Sequence, residues 1–311
     1  MLTIPTRGVS RSIKKHNVEL DVFCDWIEGS ILFVDEELSS SDIVDALRED
    51  NVYESQDMAA EMVGNAWTEL KRRAQCIEPG VAFTIEGRRI SRQFASWEET
   101  PAQSFCLLLS LAKWYRDWAK AFGTDYTEQG SLFEDLTKES LERLLGGWTI
   151  HQTGWARTRV NNLRTVVEDI GNLLGETLGE IERWTRPRAN DAGLDILCYR
   201  SFSDKRAGIP VYLMQCASGG DWEGKLHTPK LSTWNKVITF TIPPQKAFAT
   251  PFAFLEDDFR INSNSVEGVL LDRCRLLSVN AAEADWVSAP LAARIIAWCA
   301  PRIATLPRRD R

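Results

Sequence analysis

Residues 193–216 read GLDILCYRSFSDKRAGIPVYLMQC, and this stretch decides how the second half of the chain folds. Leu194 to Tyr199 and Val211 to Cys216 are short apolar runs rich in residues that favour strands. Between them the polar run from Ser203 to Gly208 carries the turn. An antiparallel pair follows. Asp195 then sits near the start of one strand and Gln215 near the end of the other, which places both at one edge of a sheet. The continuation, ASGGDWEGK over 217–225, adds a Gly-Gly loop, a tryptophan and a lysine that a core strand does not need.

Working outward, residues 131–145, SLFEDLTKESLERLL, put Leu132, Phe133, Leu136, Leu141, Leu144 and Leu145 on one helical face, with Gly146 and Gly147 as the stop. Residues 148–153 form a short extended piece. A second helix is expected over about 162–174, before a polar loop rich in Arg, Pro and Asn. Residues 222–237 read as a helix with an irregularity at Pro229, and 246–250 read as another strand. With the helix at 162–174 set aside as an insertion, the order is helix, strand, strand, strand, helix, strand. The fold class is α/β (α+β).

The earlier region reads as mainly helical. Val22, Phe23, Trp26 and Ile27 share a helical face; Ser41 is expected to cap a short helix, and Ser55 a longer one carrying Ala59, Met62, Val63, Ala66, Trp67 and Leu70. A hairpin is expected where Val81, Phe83 and Ile85 alternate before Glu86-Gly87. Thr100-Pro101 opens a helix to about Ala121 whose apolar residues cover most of its circumference, so it must be buried on several sides. Two domains are expected: a mainly helical one over 1–123 and an α/β one over 124–311.

Composition narrows the function. The formal charge of -7 argues against a protein that coats nucleic acid nonspecifically, which needs local positive charge. Locally the balance reverses: residues 181–236 hold nine Lys/Arg against six Asp/Glu, so this segment is +3 and the remainder -10. Seven cysteines, odd in number and without a CxxC spacing, disfavour zinc fingers and a disulfide framework. No apolar run approaches the roughly 18 residues of a membrane span, and the N-terminus has no secretory h-region, so a cytoplasmic protein is expected.

At the sheet edge, Asp195 offers a carboxylate, Gln215 an amide oxygen and Cys216 a carbonyl. Hard divalent cations such as Mg2+ or Mn2+ take oxygen ligands of this kind together with water and substrate phosphate. Lys225 is the candidate to orient a water or to stabilise charge on phosphate. A cysteine nucleophile at Cys216 with His151 or His227 as base is disfavoured, since Cys216 ends a hydrophobic strand and reactive thiols sit at exposed, electropositive places.

These residues and this element order resemble the PD-(D/E)xK nuclease superfamily, the restriction-endonuclease-like fold, in its Mrr-like branch where Gln replaces the second acid. The features that carry the resemblance are FE in SLFEDL, GLD in NDAGLDIL and the Gln of YLMQCASG, within roughly residues 130–251. The resemblance implies an αβββαβ core and metal-dependent hydrolysis of DNA in bacterial restriction or phage defence. Glu134, Asp195, Gln215 and Cys216 would hold the metal and Lys225 would serve catalysis. A partner protein or a second copy within a defence assembly is also implied. The chain departs from the branch in having Ala217 where a lysine is expected two residues after Gln215, with no lysine before Lys225. Glu168, 27 residues before Asp195, is the alternative to Glu134, which lies 61 before it. The contrasting expectation is a catalytically inactive nuclease-like module that binds DNA or a protein.

Overall fold

The computed structural model describes residues 1–9, 18–77, 80–122, 126–153, 163–184, 192–279 and 286–309. The chain forms two compact units: Met1–Asp125 with Pro251–Leu255 and Arg273–Arg311, and Tyr126–Thr250 with Glu256–Asp272. The architecture is mixed α+β.

In the first unit, α1 (Leu20–Phe33) is almost wholly buried. β1 (Glu37–Ser39) leads into α2 (Ser40–Glu49), followed by α3 (Gln56–Ile77). The cap of α2 is Ser39, two residues before the expected Ser41. Ser39 is still extended, and its hydroxyl accepts from the Asp42 amide at 3.2 Å while the Asp42 carboxylate accepts from the Ser39 amide at 2.8 Å. That reciprocal pair satisfies two amides that a start at Ser41 would leave open. Ser55 heads α3 as expected, accepting from the Met58 amide at 3.4 Å.

The expected hairpin is β2 (Phe83–Glu86) and β3 (Arg89–Arg92); β1 joins its β3 edge, giving the order β1-β3-β2. The helix opened by Thr100-Pro101 divides in two, α4 (Pro101–Trp114) and α5 (Arg116–Lys120). Between them Tyr115 leaves helical geometry, its hydroxyl bonded to the Thr3 carbonyl.

The second unit begins with α6 (Tyr126–Leu144) and β4 (Thr149–Gln152), then α7 (Leu163–Leu174), β5 (Thr177–Leu178) and α8 (Ile181–Trp184). The polar loop expected after these lies largely outside the described residues. Next come β6 (Ile196–Tyr199) and β7 (Val211–Cys216), then a 3-10 turn (Trp222–Lys225), α9 (Leu231–Val237), β8 (Ile238–Thr239) and β9 (Gln245–Ala249). Residues 222–237 are therefore not one helix. Pro229 has no N–H to donate and disfavours a helical Thr228, so the chain straightens before α9 begins. Lastly α10 (Glu256–Val266) leads to β10 (Val269–Leu271).

The main sheet has the order β10-β9-β7-β6-β4. β4, β6 and β7 run antiparallel in sequence, whereas β7, β9 and β10 are parallel. Set beside α6 and α9, this gives the expected order helix, strand, strand, strand, helix, strand, extended by α10 and β10. Leu197, Leu213 and Tyr199 on one face pack with Val166, Val167, Ile170 and Leu174 of α7 and with Trp234 and Val237 of α9. On the other face, Gln152 of β4 donates to Asp135 of α6 at 2.8 Å. β5 and β8 form a separate two-stranded pair.

The remaining elements, α11 (Arg273–Leu277) and α12 (Ala289–Ile303), fall in the first compact unit, whereas the expected second domain runs from 124 to 311. The reason is chemical. α12 buries Leu291, Ile295, Cys299 and Ile303, a stripe at helical spacing, and packs on α4. α4, apolar around its circumference, needs such neighbours. At about 1.5–3 kcal/mol for each large aliphatic side chain taken from water, this docking is a substantial part of the unit's stability. No helix among the described residues is long and apolar enough to cross a membrane.

Candidate functional site at the edge of the main sheet

The pairing of β6 with β7 sets Ile196 opposite Met214. Asp195 and Gln215 lie just beyond this last paired rung, where the Asp195 amide donates to the Met214 carbonyl at 2.9 Å. Their side chains meet: the Gln215 amide Nε2 donates to Asp195 Oδ2. Both are 8% exposed.

Asp195 Oδ2 also accepts from the Cys216 amide at 2.7 Å, and Gln215 Nε2 stands 3.1 Å from the Cys216 carbonyl oxygen. The amide group of Gln215 thus bridges one carboxylate oxygen and one carbonyl oxygen. Two oxygens, one of them charged, converge on a single hydrogen-rich group. A hard cation competes for the same two oxygens, and a turned Gln215 amide would add a third. The donor set fits magnesium or manganese. Among the described residues no three His, Cys, Asp or Glu side chains form a ready cage, so such a site rests on one carboxylate with neutral oxygens.

Glu134 lies half-buried on α6. Burial pushes the Cys216 thiol well above its ordinary range, and the carboxylates of Asp195 and then Glu134 push it further. Cys216 thus feels both acids, which brings Glu134 into the electrostatic neighbourhood of the site. Glu168 lies on α7 and pairs with Arg164 at 3.6 Å in an i,i+4 bridge. Of the two alternatives, it is Glu134 that acts, together with Asp195, on the Cys216 thiol.

Lys225 ends the 3-10 turn, and its ammonium lies 3.8 Å from Asp221 Oδ1, with the side chain 44% exposed. The backbone of Lys225, not its amine, is tied to the site: the Thr228 hydroxyl donates to the Lys225 carbonyl at 2.6 Å and stands 3.2 Å from Gln215 Oε1. Gly193 lies beside Thr228 on the same side of the amide. Its φ is +73°, and a Cβ there would come within 2.8 Å of Thr228 Cβ and 3.0 Å of Gln215 Oε1.

Two residues of this neighbourhood were not anticipated, Thr228 and Lys246. Thr228 carries no sequence signal beyond its place before Pro229. Lys246 does carry one. It alternates with Phe248 and Thr250, both fully buried, so the strand period itself assigns it to an inward face. Comparison with family models, curated proteins and solved structures gives no significant match for this chain.

Proposed function

We propose that the second unit is a divalent-metal-dependent nuclease, hydrolysing phosphodiester bonds of DNA in the manner of the PD-(D/E)xK enzymes, in a cytoplasmic restriction or phage-defence role. The observation that carries this reading is the convergence of Asp195 Oδ2 and the Cys216 carbonyl on the Gln215 amide at the end of two paired strands. A buried carboxylate is costly unless it is paired or binds a cation. Among its partners are the Gln215 amide and the Cys216 backbone N–H.

Asp195, Glu134, Gln215 and the Cys216 carbonyl would hold magnesium or manganese, which when bound makes water nucleophilic at neutral pH and neutralises charge on phosphate. Asp195, just before β6 and held by the Cys216 amide, would orient that assembly. Thr228 and Gly193 fix the Gln215 amide from the opposite side. In the reaction the water oxygen would bond to phosphorus as the bond from phosphorus to the leaving deoxyribose oxygen breaks; one proton of the water ends on that oxygen and the other stays with the new phosphate monoester.

A second reading has its own observation. As it stands, Gln215 presents its nitrogen to Asp195, and the Lys225 ammonium faces Asp221. Both would suit a nuclease-like module retained for binding DNA or a protein.

Purified protein incubated with plasmid DNA and with RNA, in magnesium or in EDTA, separates the two. The nuclease reading expects magnesium-dependent cutting of DNA that Asp195→Asn lowers by on the order of 10²-fold or more. DNA binding with no cutting in any condition favours the module.

A further inference from the structure

Lys246, at the start of β9, is 5% exposed. Lysine is almost never buried so deeply without a charged partner. Yet among the described residues Lys246 makes no ion pair, and its Nζ has one acceptor, the Leu226 carbonyl at 3.3 Å. An ammonium group carries three donors. Burial pulls its pKa down, while Glu267, exposed, acts in the other direction. Gly268 packs against its backbone: a Cβ at Gly268 would lie 2.1 Å from the Lys246 carbonyl oxygen and 3.1 Å from Lys246 Cβ. The structure makes room for this side chain without neutralising it.

Its placement relative to the site follows from the sheet. In the parallel pairing of β7 with β9, Lys246 is in register with Leu213, and Phe248 with Gln215. Neighbours in register share a face, as do residues two apart. Lys246, Leu213, Gln215 and Asp195 therefore all lie on one face. From strand spacing and rise, the Lys246 and Gln215 Cα atoms are about 8 Å apart. One short segment links the two side chains, since Leu226 accepts from the Lys246 amine and Thr228 meets the Gln215 amide. A buried cation with spare donors on the same sheet face as a buried carboxylate is arranged to receive an anion that also contacts a metal.

We infer that Lys246, rather than Lys225, is the cationic residue of the Asp195–Gln215 site and binds a non-bridging oxygen of the substrate phosphodiester. This rests on the nuclease reading above. Lys225 is then a surface lysine held by Asp221.

The test uses the full chain with Lys246→Met, Lys246→Arg, Lys225→Met and Asp195→Asn, measuring magnesium-dependent plasmid cutting and the thermal midpoint of each. Met keeps the length of lysine and removes the buried charge, so Lys246→Met is expected to melt at or above the wild-type temperature. Its cutting is expected to fall about 10²-fold or more, with Lys225→Met unchanged. Stability kept or gained while cutting is lost is a combination that a purely structural lysine does not give.

If Lys246→Met cuts like wild type while Asp195→Asn does not, the assignment of Lys246 is overturned and the nuclease reading stands. If wild type does not cut, or Asp195→Asn cuts as well as wild type, the nuclease reading fails and this inference with it. Should Lys246→Met fail to fold, wild type labelled with 13C at lysine Cε decides, the Lys246 signal being assigned by its loss in Lys246→Arg. A shift of that signal on adding a phosphorothioate duplex with Ca2+ supports the inference, and no shift overturns it.

Discussion

Arg273 Nη2 lies 2.8 Å from Asp25 Oδ1, although 248 residues separate them. The same guanidinium stands 3.3 Å from Glu28, and Arg73 donates to both acids, at 2.9 Å and 2.7 Å. Glu69 completes the group, accepting from Arg73 and from Arg72. These charges come from α1, α3 and α11, so the cluster joins the first residues of the tail to the N-terminal helices of the first unit.

Removing one member of a buried ionic group leaves its partners uncompensated, which costs about 3–5 kcal/mol. Arg273→Ala is therefore expected to destabilise the first unit by that amount, read as a lower urea midpoint. Lys225→Ala, at an exposed pair, is the control and is expected to change stability by less than about 1 kcal/mol. Equal midpoints for Arg273→Ala and wild type would show that the cluster contributes nothing net.

The same cluster sets an acid limit. Burial raises the Asp25 carboxyl, but the Arg273 and Arg73 guanidiniums outweigh it and hold the group below its usual range. A depressed carboxylate contributes stability that is present above its unfolded pKa, about 3.9, and is lost as pH falls through the folded value. Stability of the first unit should hold down to about pH 4–5 and fall below it. The fall should be smaller in Asp25→Asn, measured by urea unfolding across that range.

Much of this architecture is written in local patterns. The runs around Asp195 and Gln215 specify a hairpin, and the hairpin's register puts the two side chains on one face, because alternation leaves a strand pair little freedom. The all-round apolar surface of α4 announces that neighbours must cover it but does not name them. α12 supplies one from nearly two hundred residues away, and only the folded chain shows it. The displaced cap of α2 and the break before α9 turn on competition between adjacent residues, Ser39 against Ser41 and a proline against helix continuation. Lys225 lies close to Gln215 along the chain, whereas Lys246 shares its sheet face through a parallel pairing that spacing along the chain cannot reveal.

Cys216 provides a check on the chemistry that the site excludes. Its thiol is pushed well up, first by burial and then by the Asp195 and Glu134 carboxylates, and its residue is buried. A thiol in that setting is not a nucleophile at neutral pH. Iodoacetamide applied to the native protein should modify Cys76, which is partly exposed while the other six cysteines are buried, well before Cys216. Mass spectrometry of the peptides reads the order, and early labelling of Cys216 would reopen a thiol mechanism.

Gly193 offers the sharpest test of how the site is held. Its backbone has φ of +73°, and a Cβ would press on Thr228 and on Gln215 Oε1. Gly193→Ala thus meets two penalties together, a left-handed backbone that costs an L-residue about 1–2 kcal/mol and a steric push on the amide that bridges Asp195 and Cys216. The variant is expected to lose a modest amount of stability but most of its magnesium-dependent cutting. Ala217→Gly, just beyond Cys216, is the comparison, since it relaxes the backbone without adding an atom near Gln215. If Gly193→Ala loses stability yet cuts at the wild-type rate, the position of the Gln215 amide does not matter to the reaction, and Asp195 must act without it.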